Sequence, residues 1–202
     1  MKIVDAQTRA NAPPAAERRG RPCRAIRFLF SSLIWLLLAG PNVHGENPQP
    51  TEYQIKAAFL FNFAKFVEWP PKAVGGASTP LVIGILGENP FHDDLARIIG
   101  NKTVDEHPLV IREYRSVSEA TNCHMLFISS SEKPRLPEIL AGLKGSNVLS
   151  VGEMDQFTES GGAINFVMVG AKIRFQINNE AAASAGLKVS SKLLALALRP
   201  DG

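Results

Sequence analysis

The sequence predicts an α/β fold: a mostly parallel sheet flanked by helices, finished by a C-terminal β-hairpin and C-terminal helix. Three observations carry this reading. Short continuous apolar runs such as "LVIGILG" alternate with helix-patterned segments across short connections, as strands buried on both faces do. Further on, "GAINFVMV" and "KIRFQIN" flank Gly170-Ala171, the two-residue spacing of a tight hairpin. Ahead of both, "YQIKAAFLFNFAKFVEWP" from Tyr53 to Pro70 is dense in aromatic and aliphatic residues at helical spacing.

The N-terminal segment has to be set aside first. Residues 1–17 are polar and without periodicity, and a basic cluster follows with Arg18, Arg19, Arg21, Arg24 and Arg27. The apolar run "FLFSSLIWLLLAG", Phe28 to Gly40, then leads into the helix breakers of "PNVHGENPQP". Basic, apolar, then small or turn-forming is the order of a secretory signal. The run would span about 20 Å as a helix, against a hydrocarbon core of roughly 30 Å, so it is too short for a permanent anchor. Val43 and Gly45 suit the small-residue positions of a cleavage site, which divides the chain into a signal with its basic lead (1–45) and one domain (46–202). The long basic lead also fits a start codon further downstream. Arg18-Arg19 stands too far ahead of the apolar run for a twin-arginine signal, and Cys23 precedes that run, where no lipid-modified cysteine is found.

Without residues 1–45 the charge balance inverts. That segment holds seven Lys/Arg against two Asp/Glu, leaving 15 of the 22 Lys/Arg and 17 of the 19 Asp/Glu in the rest, a net of −2. The basic isoelectric point belongs to the signal, and no basic patch for nucleic acid is visible in the remainder. The remaining 157 residues suit a single domain with one sizeable core. Cys123 is left without a partner for an intrachain disulfide, and because it leads into the apolar "MLFIS" it is expected to be buried.

On a helical wheel Tyr53, Ile55, Ala57, Phe59, Leu60, Phe63, Ala64, Phe66 and Val67 share an arc of about 200°, interrupted by Lys56. Polar interruptions exclude a membrane span, and the mixed polar face does not fit a membrane-surface helix. This is a core helix, stopped by Trp69-Pro70-Pro71. Phe61 is its exception, an aromatic ring on the polar arc. "KAVGGASTP" is a loop, and "LVIGILG" the first strand. "NPFHDDLARIIG" reads as a helix with Pro90 near its first turn and Gly100 at its end. "PLVIREY", "HMLFIS" and "NVLSVG" are further strands. "SSSEKPRLPEILAGLKG" is a helix with a Ser129-x-x-Glu132 capping box, closed by Gly145. In "KIRFQIN", Ile173, Phe175 and Ile177 alternate with Lys172, Arg174 and Gln176, one set inward and one outward. "AAASAGLKVSSKLLALAL" supplies the helical C-terminus.

Catalytic patterns are missing. "GILGENPF" lacks both the dinucleotide fingerprint and the P-loop, so Gly87-Glu88-Asn89 reads as an ordinary turn with an Asn cap. The acids of His92-Asp93-Asp94 fit a helix dipole rather than a metal, and zinc spacing does not occur. Ser129–Ser131 read as caps in the absence of a nucleophile elbow. No enzyme, no cofactor and no metal are expected.

"KAAFLFNFAKFVEWP", "IGILGENPF", "CHMLFIS", "VLSVGEMDQF", "GGAINFVMVGAKIRFQIN" and "AGLKVSSKLLALA" occur in the order that resembles the YfiR-like family, over nearly all of Tyr53 to Ala197. The resemblance implies a periplasmic α/β protein, often a homodimer. It also implies repression of an inner-membrane diguanylate cyclase by binding that enzyme's periplasmic domain, which lowers cyclic di-GMP and biofilm formation. The cysteine pairs of well-studied members are not matched here. The alternative is a periplasmic small-molecule sensor acting on a sensor kinase or transporter. Lys65 and Arg174 are the cations placed near a small anionic ligand. The expected partner- or ligand-binding surface joins Phe61 and Lys65 of the first helix to Gly161, Gly162, Phe166 and Arg174 of the following loop and hairpin.

Overall fold

The computed structural model describes residues 49–76 and 78–198, so the expected signal segment lies outside the described residues. Helix α1, Glu52–Phe66, opens on a capping box: the Thr51 hydroxyl accepts from the Gln54 amide at 3.2 Å, and the Gln54 side chain accepts from the Thr51 amide. Its predicted apolar face is the buried one, with Ala57, Leu60, Phe63 and Ala64 in the core. The helix stops at Phe66, and Val67–Glu68 becomes a short strand, β1. Pro71 then begins a single helical turn, α2 (Pro71–Val74), which runs into the stretch from Lys72 expected to be loop.

The main sheet starts with β2, Leu81–Leu86, buried at every position. After it come α3 (Asp94–Ile99), β3 (Thr103–Val104), β4 (His107–Tyr114), α4 (Val117–Ala120) and β5 (Met125–Ile128). A 3₁₀ segment (Ser130–Arg135), α5 (Leu136–Gly142), β6 (Leu149–Gly152), β7 (Ile164–Val169) and β8 (Lys172–Ile177) complete the sheet region. The chain continues through α6 (Asn179–Ser184), β9 (Lys188–Val189) and α7 (Ser191–Leu194). The seven-stranded order is β3-β4-β2-β5-β6-β7-β8, parallel from β4 to β7 and antiparallel at both ends.

Side-chain alternation divides the interior into two clusters. Leu81, Ile83, Ile85, Met125 and Phe127 face one way, into a cluster with α1 and α3. Val82, Leu86, Leu126 and Ile128 face the other way, onto α4 and α5 with Ala120, Leu136 and Ile139. Cys123 belongs to this second cluster at 5% exposure, buried as its apolar context predicts, and burial pushes its thiol up to about 12.

Three elements differ from the sequence reading. The helix expected from Pro90 begins at Asp94, because the Asn89 side chain accepts from the Phe91 amide at 2.9 Å and His92 takes a φ of 48°. The Ser129-x-x-Glu132 box is only half formed: Ser129 accepts from the Ser131 amide at 3.4 Å, whereas Glu132 pairs with Arg135. Pro134 has no amide to extend an α pattern there, and a 3₁₀ turn results. The C-terminal helical stretch is split, because Lys188–Val189 pairs antiparallel with Val67–Glu68 and separates α6 from α7.

Candidate functional site

The six residues expected to form a binding surface have different fates. Lys65 is exposed in the last turn of α1, its Nζ 5.8 Å from the Phe66 ring. Arg174 is exposed on the outward face of β8, opposite Val167. Phe61 is half-buried: it packs against the first cluster, and Lys102 Nζ sits 4.6 Å from its ring centroid. Phe166, at 4% exposure, is a core residue, stacked at 5.6 Å on Phe63 of α1 and packed at 6.0 Å against Phe59. Its inward direction follows from its pairing with Phe175.

The two glycines separate as well. Gly161 is exposed with a φ of +101°, a conformation that favours glycine. Gly162 is buried, and a Cβ there would lie 2.1 Å from the Phe157 ring. Its missing side chain makes room for Phe157 of the same chain, which is a packing role.

The sequence reading missed the most polar part of the interior. Lys56, treated there as an interruption of the apolar arc, is 5% exposed. Its ammonium lies 2.6 Å from Glu153 Oε2, also contacts Glu52, and stands 4.7 Å from the Tyr53 ring centroid. The Tyr53 hydroxyl donates to Glu153 Oε1 at 3.4 Å. Burial works against the charged lysine, but the hydrogen bonds with Glu153 and Glu52 outweigh it and hold the ammonium above its usual range. Burial and the neighbouring Glu153 raise the Tyr53 phenol in turn. The available signals were Glu52 four residues before Lys56, and an acid directly after the β6 strand.

These groups floor a cleft of about 650 Å³ with Asn165, Phe166, Met168 and Gln176 on its walls. Glu52, Glu153, Asp155 and Glu159 line it too, and Lys56 is fully engaged, so an anion finds no match in this cleft. Lys65 and Arg174 are exposed, and neither lines this cleft or the three others described among these residues. Several polar groups at the β2 turn and the start of α3 are likewise engaged. Ser131 Oγ accepts from the Glu88 amide at 3.0 Å, and Asp94 accepts from Gln54 at 3.2 Å and Arg97 at 2.6 Å. Among the described residues no group of three or more His, Cys, Asp or Glu is placed to hold a metal, and no helix is long and apolar enough to cross a membrane.

A parallel α/β sheet, covered on both faces and closed by an antiparallel hairpin, defines the class of protein. Residues 53–198 match the YfiR/HmsC-like family, and the chain belongs to that family. The crystal structure of a conserved domain protein from Vibrio cholerae O1 biovar eltor str. N16961 is similar in fold. It shares a TM-score of 0.50 and 11% sequence identity over 73% of this chain and 59% of that one. The chain therefore spans less than two-thirds of that protein's length. No curated protein matches the sequence.

Proposed function

We propose that this protein is an exported, periplasmic negative regulator. It holds the periplasmic domain of an inner-membrane signalling enzyme, a diguanylate cyclase in the first instance, in its inactive state. The observation that carries this reading is the family match across residues 53–198, which takes in α1, the whole sheet and the C-terminal tail. The buried charges support it: Lys56, Glu153 and Glu132 are each engaged in ion pairs within the fold. Binding to one conformation of a partner shifts that partner's equilibrium, and the signal crosses the membrane without chemistry on this chain. A homodimer is the assembly in which we expect it to act. The surface we assign to the partner includes the exposed end of α1 at Lys65 and the ring edge of Phe61, together with Arg174 on β8.

A second reading, a small-molecule sensor acting on a sensor kinase or transporter, draws on the cleft of about 650 Å³ beside Lys56. Gene deletion separates the two. Deletion should raise cyclic di-GMP, and complementation with the wild-type gene should lower it again, whereas Lys65→Glu should repress poorly at equal abundance. Unchanged cyclic di-GMP in the deletion strain would remove the cyclase reading and leave the sensor.

A further inference from the structure

β8 is the last strand of the seven-stranded sheet, and its outer edge is only partly covered. The hairpin pairs Val169 with Lys172, Val167 with Arg174 and Asn165 with Gln176. In a two-residue hairpin the closing pair exchanges hydrogen bonds, and so does every second pair beyond it. Lys172, Arg174 and Gln176 therefore turn their backbone groups toward β7, while Ile173, Phe175 and Ile177 turn theirs outward. The C-terminal tail fixes this phase independently: the Leu198 amide donates to the Phe175 carbonyl at 2.8 Å, with Leu198 bridging in parallel to Gln176. Among the described residues no other segment pairs with this edge. Among these residues, the amide and carbonyl of Ile173 and the amide of Phe175 have no partner.

The surroundings of that gap are unusual for bare surface. Lys172 and Arg174 are exposed and, among the described residues, neither enters an ion pair. Among the described residues, three of the four exposed large hydrophobics border the gap along the chain. Met168 (54%) and Val169 (52%) end the paired strand, and Leu196 (59%) lies two residues before the tail docks.

We propose that the outer edge of β8 at Lys172–Phe175 takes an extended acidic segment of a partner protein as an added strand. Main-chain bonds to an open edge supply affinity, and alternate side chains supply selectivity. Acids at every second position meet Lys172 and Arg174, and the residues between them face Met168 and Ile173. The same two cations disfavour a second copy, whose own Lys172 and Arg174 would lie opposite them as like charges. This deepens the regulator reading and rests on it in supposing a protein partner.

A labelled synthetic peptide alternating glutamate and valine tests the edge. Its fluorescence anisotropy should rise saturably with added protein, and hydrogen exchange at the Ile173 and Phe175 amides should slow. Ile173→Pro removes the outward amide and leaves the bonds to β7, because a proline is tolerated where the N–H faces solvent. That variant, and separately Lys172→Glu with Arg174→Glu, should lose peptide binding while keeping the wild-type melting temperature; a lysine–valine peptide should not bind. Unchanged anisotropy, unslowed exchange at both amides, or equal binding by a folded Ile173→Pro variant would each overturn the proposal. Self-association that protects these amides against the peptide would overturn it in favour of a second copy. Cyclic di-GMP in the deletion strain is a separate readout. If deletion raises it and the peptide fails, the edge is wrong and the regulator stands; if the peptide binds and deletion changes nothing, the edge stands and the cyclase reading falls.

Discussion

Lys56 illustrates how much one side chain depends on its partners. A lysine this deep loses its hydration, and only close, hydrogen-bonded acids restore the balance. Glu153, whose side chain is 7% exposed, and Glu52 do so, and together they tie α1 to the end of β6. Removing the cation alone leaves Glu153 buried and uncompensated. Lys56→Met should therefore lower unfolding stability by about 3 kcal/mol in urea titrations, the scale on which breaking one side of a buried pair acts. Lys56→Met combined with Glu153→Gln should recover a good part of that loss. If the double variant is no more stable than the single one, the ion pair is not what makes Lys56 matter.

At the scale of elements, His124 joins three of them just ahead of β5. The Val82 amide at the head of β2 donates to its Nδ1 at 3.0 Å, so Nε2 carries the proton and donates to the Ala73 carbonyl of α2 at 2.9 Å. Its own carbonyl accepts from Trp69 Nε1 at 3.0 Å. A second ring proton would set two donors against each other at Val82. Burial, with His107 nearby, lowers the imidazole below its ordinary 6.5, against a smaller opposing effect from Ala73. The unfolded chain thus binds the proton first. The contribution is complete above about pH 6.5 and declines as pH falls below it. Urea midpoints should drop between about pH 7 and pH 5.5, and the drop should be shallower in His124→Gln. Equal slopes would show that other groups set the acid limb. The loop after β6 has a comparable dependence on neighbours, since Phe157 occupies the space that a side chain at Gly152 or Gly162 would need.

At the largest scale, the described domain is a seven-stranded sheet with a hydrophobic cluster on each face, joined by the two-stranded β1–β9 pair. Because β2 and β5 contribute alternate residues to both clusters, neither face can come apart while the other stays packed. The expected behaviour is a single cooperative transition. Trp69 packs against the first cluster and Cys123 lies in the second, so they report on opposite faces. In a chain begun at Glu46, tryptophan fluorescence and Cys123 labelling should give the same denaturant midpoint. Labelling at a clearly lower midpoint would mean that the second face opens on its own.

The sequence by itself determined the α/β class, the aromatic helix, the hairpin at Gly170-Ala171 and the burial of Cys123. Each of these depends on periodicity or on immediate neighbours, which a linear chain displays. Family membership was legible for the same reason, as ordered local motifs. Tertiary structure alone decided that Phe166 packs inside, that Gly162 makes way for Phe157, and that Val67–Glu68 leaves the helix to pair with Lys188–Val189. It alone joined Lys56 to Glu153 and left the β8 edge open beside Lys172 and Arg174. Those outcomes turn on contacts between residues far apart in the chain, and a polar residue's burial or an edge's exposure is set by what folds against it.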